Sequence, residues 1–211
     1  MPVPATSINF PDPREADSDG LLGAGGNLQP GTLLTAYRSG IFPWYEQGGP
    51  ILWWSPDPRM VLFPSEFHCS RRLARRMRQG GLCLTRDKDF AGVMHACAER
   101  EERTWIHPEM IEAYSRLFKL GHAASIEVWR ENNLVGGLYG VKLGRVFFAE
   151  SMFSRATDAS KMALAELCSQ DWRMIDCQFH TGHLASLGAR ELARQEFLQL
   201  LVEGVSAVRE T

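Results

Sequence analysis

The sequence predicts an α/β protein in which a mixed sheet of strands is flanked by helices. Two apolar strands, Leu134–Val141 and Arg145–Ser154, form a predicted hairpin with a tight turn at Lys142–Gly144. A helix over Ala159–Cys168 follows the hairpin and leads into a third strand, Met174–Phe179. A hairpin followed by a helix and another strand predicts a mixed sheet with helices against it.

Residues 1–58 are expected to form a small N-terminal domain, and residues 59–211 a larger one. Prolines and glycines punctuate the first stretch, which favours turns and short elements. We place the boundary at Pro56-Asp57-Pro58, because proline biases the preceding residue away from helix. Aromatic residues are dense among these chain breakers, and we expect most to be structural and one or two to line a site. They are Phe42, Trp44, Tyr45, Trp53 and Trp54.

Helix and strand signals continue along the chain. Ser70 is a suitable N-cap, Pro108 suits a first helical turn, and Gly40 and Gly121 suit the C-terminal ends of helices. The other predicted helices are Thr32–Ser39, Ser70–Gln79, Phe90–Ala98, Pro108–Leu120 and Ala193–Val202. The other predicted strands are Met60–Phe63 and Ser125–Trp129.

Composition and missing motifs disfavour several classes of function. The 211 residues carry a net charge of -2 and five cysteines without close pairing, which indicates neither a disulfide framework nor a CxxC metal site. His180 and His183 lack a third ligand, and no GxxxxGK[ST] phosphate loop is present, so we expect no metal and no nucleotide site. The sequence contains no apolar run of about 18 residues and no secretory signal, so we expect a cytoplasmic protein without membrane contact.

A run of arginines lies on one predicted helix. Arg71, Arg75 and Arg78 share a face by their i, i+4, i+7 spacing, and Arg72 and Arg76 form an adjacent row. The run contains no acidic residue that would neutralise them. It is therefore either a positive stripe suited to phosphates or a solvated helix face, and the spacing leaves both open.

Polar residues end two of the predicted strands. Glu150 follows the apolar part of its strand, where it could take part in proton transfer, bind a cation, or pair with Arg155 or water. Asp176 and Gln178 are two residues apart and so point to the same face, with Ile175 and Cys177 on the other, buried face. Such a pair lies either over a cavity, where it can orient an amine, or in solvent.

The sequence resembles the leucyl/phenylalanyl-tRNA–protein transferase family over nearly its whole length. The matching segments include GLLGAGGNLQPGTLLTAYRSGIFPWY, PILWWSPDPR, LVGGLYGV, ESMFSR, IDCQ and HLASLGAR, in this order. The resemblance implies transfer of Leu, Phe or less often Met from aminoacyl-tRNA to the N-terminal Arg or Lys of a protein. This transfer forms a peptide bond and marks the protein for degradation by the N-end rule. The resemblance also implies a larger domain similar to the acyl-CoA N-acyltransferase (GNAT-like) fold. It further implies that the reaction uses neither a metal nor a coenzyme.

The resemblance assigns roles by position. Asp176 and Gln178 correspond to the catalytic pair beside the attacking α-amine, and Glu150 to a catalytic carboxylate near the tRNA 3′ end and the acceptor. The arginine helix corresponds to the region that holds the acceptor stem. The pocket for the aminoacyl group and 3′ adenosine is expected from Trp44, Trp105, Leu138, Ser151, Phe153, Leu164 and Ile175.

The implied chemistry is consistent with the missing motifs. An aminoacyl ester is already activated, so no ATP site is needed, and catalysis reduces to positioning, deprotonating the amine and stabilising the oxyanion. The cationic acceptor gives Glu150 and Asp176 an electrostatic reason to be present.

Two alternative functions remain. A coenzyme-A-dependent N-acyltransferase would need a glycine-rich loop at Arg155–Ser160, and a non-catalytic RNA-binding module leaves Asp176 and Gln178 unexplained. We expect a monomer.

Overall fold

The computed structural model of the protein describes residues 6–99 and 104–207. Residues 1–5, 100–103 and 208–211 lie outside this description, together with the corresponding parts of the two predicted domains. The helices are α1 (Pro30–Arg38), α2 (Arg71–Arg78), α3 (Phe90–Ala98), α4 (Pro108–Lys119), α5 (Ala159–Cys168), α6 (Gly182–Ser186) and α7 (Arg194–Ser206). The strands are β1 (Leu21–Ala24), β2 (Phe42–Pro43), β3 (Leu52–Trp54), β4 (Arg59–Leu62), β5 (Cys83–Arg86), β6 (Ala123–Arg130), β7 (Asn133–Leu143), β8 (Val146–Ser154), β9 (Met174–Gln178) and β10 (Arg190–Leu192).

A small antiparallel sheet in the order β1-β3-β2 forms the N-terminal part of the molecule. Trp53 of β3 is buried, and its indole N–H donates to the carbonyl oxygen of Gly25 at 2.8 Å. The ring of Phe10 packs edge-on against the Trp53 ring at a centroid distance of 4.8 Å. The aromatic residues of this region thus serve mainly as core. The predicted domain boundary at Pro58 falls between this sheet and β4, the first strand of the larger sheet.

The larger sheet has seven strands in the order β10-β4-β9-β8-β7-β6-β5. The described ladders are antiparallel except for β8 and β9, which are parallel. Helix α5 makes the crossover between these two strands, as a parallel connection requires. The predicted mixed sheet and the α/β class are therefore confirmed.

Helices cover both faces of the larger sheet. Leu33, Leu117 and Leu201 bring α1, α4 and α7 into one apolar cluster, which α3 joins. Leu73 and Leu164 bring α2 and α5 into the cluster on the other face. Because both faces are covered, β4 and β9 are buried at every position. Within the described residues no helix is long and apolar enough to cross a membrane.

The long elements follow the predictions closely, and the short ones were missed. α3 and α5 have the predicted bounds, and Gly40 ends α1 with φ +75°, the left-handed conformation expected of a C-terminal glycine. A side chain there would also place its Cβ 2.7 Å from Leu198 Cδ2. The elements not predicted are β1, β2, β3, β5, β10 and α6, none longer than five residues. Segments this short carry too few residues to show a periodicity.

Candidate active site

The site lies where β8 and β9 part. Their parallel ladder ends at the pair Phe148–Asp176. Beyond that pair the two strands line a cavity of about 550 Å³. Phe42 of β2, Leu184 of α6 and Trp105 line it from other sides. The cavity therefore forms at the junction of the small sheet and the large one, at the polar strand ends identified in the sequence.

A β-bulge aims Glu150 at this cavity. Tyr139 of β7 pairs with Ser151, and the next residue, Gly140, pairs with Ala149, so Glu150 is the extra residue on β8. A Cβ on Gly140 would lie 2.1 Å from the carbonyl oxygen of the neighbouring strand's residue 148, so only glycine fits beside the bulge. Bulges re-aim side chains, and this one turns the Glu150 side chain inward.

A second bulge and a strained backbone aim Gln178 at Glu150. Met60 pairs with Gln178 and the next residue, Val61, with Asp176, so Cys177 is the extra residue on β9. Gln178 has φ +58°, which is uncommon for a residue other than glycine. Its side-chain amide Nε2 donates to Glu150 Oε1 at 3.0 Å. Strand alternation alone, on which the same-face prediction was based, does not produce this contact.

Two buried tyrosines complete the surroundings of Glu150. The hydroxyl of Tyr37 donates to Glu150 Oε1 at 2.8 Å, and the hydroxyl of Tyr114 lies 3.3 Å from Oε2. The two hydroxyls also form a short hydrogen bond with each other. Arg155, the partner considered for Glu150, pairs instead with Glu99 at 2.6 Å.

Burial dominates the acid–base properties of this cluster. It raises the pKa of Glu150 from 4.5 to about 8; the charge of Asp176 also raises it, while the hydrogen bonds from Tyr37 and Tyr114 lower it. Burial likewise raises the pKa of both tyrosines well above 10, so their hydroxyls stay protonated. Glu150 is therefore mostly a neutral acid at pH 7.

Asp176 forms a buried ion pair and does not line the cavity. Arg59 Nε donates to Asp176 Oδ1 at 2.8 Å and Arg59 Nη2 to Oδ2 at 2.6 Å, and both side chains are at most 1 % exposed. The guanidinium packs over the rings of Phe42 and Phe197, with its Cζ 4.7 and 4.6 Å from their centroids. Asp176 Oδ1 also accepts the backbone N–H of Gln178 at 3.0 Å.

The prediction that Asp176 and Glu150 attract a cationic acceptor by their charges does not agree with the structure. Arg59 neutralises Asp176, and Glu150 holds its proton at neutral pH. The acceptor would therefore meet a polar but nearly uncharged site. Asp176 instead orients Gln178, by accepting the backbone amide of that residue.

Five of the seven predicted pocket residues line the cavity, and two do not. Leu164 and Ile175 are fully buried in the core cluster on the α2 and α5 face. Ile175 belongs to the part of β9 that is still paired with β8, and Leu164 packs from α5 behind the sheet. The predicted residues on the cavity surface are Trp44, Trp105, Leu138, Ser151 and Phe153.

Aromatic rings separate the cavity from a second one. Trp44, 41 % exposed, contacts the rings of Trp54 and Phe179 at centroid distances of 5.5 and 5.4 Å. A neighbouring cavity of about 620 Å³ has Trp44 and Trp105 in its wall as well. These two indoles thus offer aromatic surface to a flat ligand in either cavity.

The arginine stripe lies on α2, as predicted. Ser70 caps the helix by accepting the N–H of Leu73 at 3.2 Å, and Leu73 is buried against α5. Arg72 pairs with Asp158 at 2.8 Å. The other four arginines, Arg71, Arg75, Arg76 and Arg78, form no ion pair within residues 6–99 and 104–207, and all but the half-buried Arg76 are exposed.

Sequence reasoning missed Tyr37, Tyr114 and Arg59. Each carried a signal: a tyrosine on the buried face of a helix needs a partner for its hydroxyl, and an arginine in an otherwise apolar strand needs a carboxylate. The partners are far away in the sequence: Tyr37 and Glu150 are 113 positions apart, and Arg59 and Asp176 are 117 positions apart. The sequence therefore indicates that each of these side chains needs a partner, but it does not indicate which residue that partner is.

Sequence comparison places the chain among known proteins. The family profile described as Leucyl/phenylalanyl-tRNA protein transferase matches residues 61–202, and the profile for its N-terminal domain matches residues 26–57. The chain belongs to the leucyl/phenylalanyl-tRNA–protein transferase family. The predicted family and its transferase class are therefore confirmed.

Members of the leucyl/phenylalanyl-tRNA–protein transferase family from distant bacteria align over most of the chain. The protein of that name from Syntrophobacter fumaroxidans is 54% identical over 94% of this chain and 88% of its own length. That from Chromohalobacter salexigens is 55% identical over 97% of this chain and 84% of its own. A solved GCN5-related N-acetyltransferase from Kribbella flavida superposes with a TM-score of 0.42 and 9% identity, covering 78% of this chain and 61% of that one.

Proposed function

We propose that this protein transfers Leu, Phe or less often Met from aminoacyl-tRNA to the N-terminal Arg or Lys of proteins. The product is a new peptide bond, and the added residue marks the protein for degradation by the N-end rule. The observation that carries the proposal is the cavity of about 550 Å³, which has apolar and aromatic walls and a polar end made by Glu150 and Gln178. The names of the family's members support Leu- and Phe-tRNA as donors and a protein as the acceptor.

The reaction needs a bound ester, a neutral amine and a site for the departing ribose oxygen. The acceptor's α-amine attacks the ester carbonyl carbon; a C–N bond forms, and the bond to the tRNA's 3′ oxygen breaks. The amine gives up a proton and the departing oxygen gains one. Because the ester is already activated, the transfer needs no further energy source. Gln178 lies on the cavity surface, where its amide can orient the amine, and positioning of this kind supplies much of the rate.

Cavity shape accounts for the choice of amino acid. Leu138 and Phe153 are apolar walls suited to an unbranched or γ-branched side chain such as Met, Leu or Phe. A β-branched Ile or Val would place a methyl group against the wall, and each misplaced methyl discriminates by about 1–3 kcal/mol. The indoles of Trp44 and Trp105 suit the unpaired 3′ adenosine by stacking.

The arginine helix is the proposed contact for the acceptor stem. Asp158, paired with Arg72, places α2 beside the N-terminus of α5, next to the C-terminal end of β8 that lines the cavity. A stem along α2 would therefore lead its 3′ end toward the site. The four arginines that form no ion pair within the described residues would each replace counterions on the phosphates.

The remaining assignments also stay proposals. We propose that the protein is a monomer. We also propose that it is cytoplasmic, since its five cysteines are free thiols and reduced cysteines are usual in that compartment. We propose two domains divided at Pro58, the larger of them GNAT-like. A coenzyme-A-dependent reaction has less support, because the carboxylate of Asp158 lies at the N-terminus of α5, the position suited to a pyrophosphate.

A transfer assay tests the proposal. Labelled Leu-, Phe-, Met- and Ile-tRNA are mixed with peptides that differ only in their first residue, Arg, Lys, Asp or Met, with an RNase-treated control. We expect label only on the Arg and Lys peptides, from every donor except Ile. Label on the Asp peptide would overturn the acceptor assignment, and no label despite tRNA binding would overturn the transferase assignment.

A further inference from the structure

Three hydrogen-bonding contacts link Tyr37, Tyr114 and Glu150 in a closed ring. Glu150 Oε1 contacts the Tyr37 hydroxyl, that hydroxyl contacts the Tyr114 hydroxyl, and the Tyr114 hydroxyl contacts Glu150 Oε2. The side chains are buried, Tyr37 and Tyr114 completely and Glu150 to 9 % exposure. Every contact in the ring therefore needs its own proton, because two buried oxygen atoms that approach without a hydrogen between them repel each other.

The two tyrosines carry only two hydroxyl protons for these three contacts. The third proton must come from the carboxyl group of Glu150. The hydroxyl of Tyr37 donates to Oε1 at 2.8 Å, so Oε1 is an acceptor and the carboxyl proton resides on Oε2. An ionised Glu150 would instead leave either the Oε2 contact or the contact between the hydroxyls without a proton, at the cost of an unsatisfied buried oxygen.

We propose that Tyr37 and Tyr114 are positioning residues that place the proton of the neutral Glu150 on Oε2 and, through Glu150, fix the amide orientation of Gln178. In the ring, Glu150 Oε2 donates to Tyr114, Tyr114 donates to Tyr37, and Tyr37 donates to Oε1. Each group gives one hydrogen bond and accepts one. Burial keeps this carboxyl group protonated, because it raises the pKa of Glu150 to about 8 even though the hydrogen bonds from the two tyrosines lower it.

This arrangement determines what the cavity offers to a substrate, and that consequence rests on the proposed transfer reaction. Because Oε1 of Glu150 accepts, Gln178 must present its NH2 group to it. The carbonyl Oε1 of Gln178 then remains on the cavity side, where it can accept a hydrogen bond from the attacking amine. Glu150, which still holds its own proton, orients Gln178 and does not take the amine's proton.

The protonation of Glu150 can be measured without tRNA. The full-length protein, labelled with carboxyl-13C glutamate, is titrated from pH 5 to pH 9 by NMR, and Glu150→Gln identifies the resonance by its disappearance. We expect this one glutamate to titrate near pH 8, and Tyr37→Phe to shift its midpoint upward by removing a donor. Tyr45→Phe, which removes a hydroxyl bonded to Glu109, is the matched control and should leave the midpoint in place.

A Glu150 resonance already at the carboxylate position at pH 6 would overturn the inference, whatever the protein transfers. A neutral Glu150 in a protein without transfer activity would leave the ring intact and remove only the proposed function. In the transfer assay, Glu150→Gln can keep the ring, because its amide both donates and accepts. Its rate should exceed that of Glu150→Ala by about tenfold, the value of one or two hydrogen bonds. Equal rates would show that a carboxylate is required and would refute the proposal.

Discussion

Replacement of Asp176 with Asn should destabilise the whole protein. The substitution keeps the size of the side chain but removes the charge that balances Arg59, which is 1 % exposed. Removing one partner of a buried ion pair typically costs about 3–5 kcal/mol, because the other charge stays buried without compensation. Domains are stable by only about 5–15 kcal/mol, so this is a large fraction of the total. For a chain of this size the melting temperature should fall by roughly 6–20 °C.

Thermal and urea denaturation followed by circular dichroism measure this loss. The double variant Arg59→Met/Asp176→Leu is the informative partner, since apolar residues can replace a buried ion pair at little cost. We expect it to recover much of the stability that Asp176→Asn loses, although the contact with the Gln178 amide is gone. The difference between the double variant and the sum of the single ones gives the coupling energy of the pair.

One result would refute this reasoning. If Asp176→Asn unfolds at the wild-type temperature and urea concentration and yet has lost transfer, then Asp176 is not a structural anion. The carboxylate would then have to act on the substrate, as the family resemblance alone implies.

Three further results are expected. Glu150 releases its proton near pH 8 in the folded state but at its usual 4.5 in the unfolded chain, so the free energy of unfolding should fall by about 1.4 kcal/mol per pH unit between those values. Urea denaturation at pH 6 and pH 8 should show that the wild type loses about 2–3 kcal/mol more of its free energy of unfolding than Glu150→Gln does. An equal change in the two proteins would contradict this. Replacing Arg75, Arg76 and Arg78 together with Ala should weaken tRNA binding and reduce the slope of log K against log salt by about 2–3, whereas an unchanged slope would identify a solvated helix face. Gln178→Ala should lower the transfer rate by about tenfold or more while the protein stays folded, and full activity would remove its amide from the mechanism.

A matched control accompanies the arginine experiment. Arg38 is exposed and lies beside Lys142 and Gly144, near the turn that precedes β8, whereas α2 lies at the other end of that strand. Arg38→Ala should therefore leave the salt dependence of tRNA binding as it is. An equal effect at Arg38 would mean that the charge of the protein as a whole, and not α2, sets the affinity.

Local patterns in the sequence were sufficient to predict the strands and the helix that carry the site residues. Two apolar runs joined by a glycine turn predicted the β7–β8 hairpin, and Ser70 as an N-cap predicted α2, because both signals depend on residues close in the chain. The same patterns identified Glu150 and Gln178, since each is a polar residue at the end of an apolar strand.

What those residues do was decided only by the tertiary structure. One β-bulge turns Glu150 inward and another, with a left-handed backbone, turns Gln178 toward it, and neither leaves a mark in the alternation. Folding also brings Arg59 to Asp176 and two tyrosines to Glu150, across separations of 36 to 117 residues. The sequence by itself determined the fold class, the family and the positions of the polar strand ends. The charge states of Glu150 and Asp176 depended on the structure. Whether a buried carboxyl group keeps its proton is determined by its burial and its bonding partners, and distant parts of the chain supply those partners.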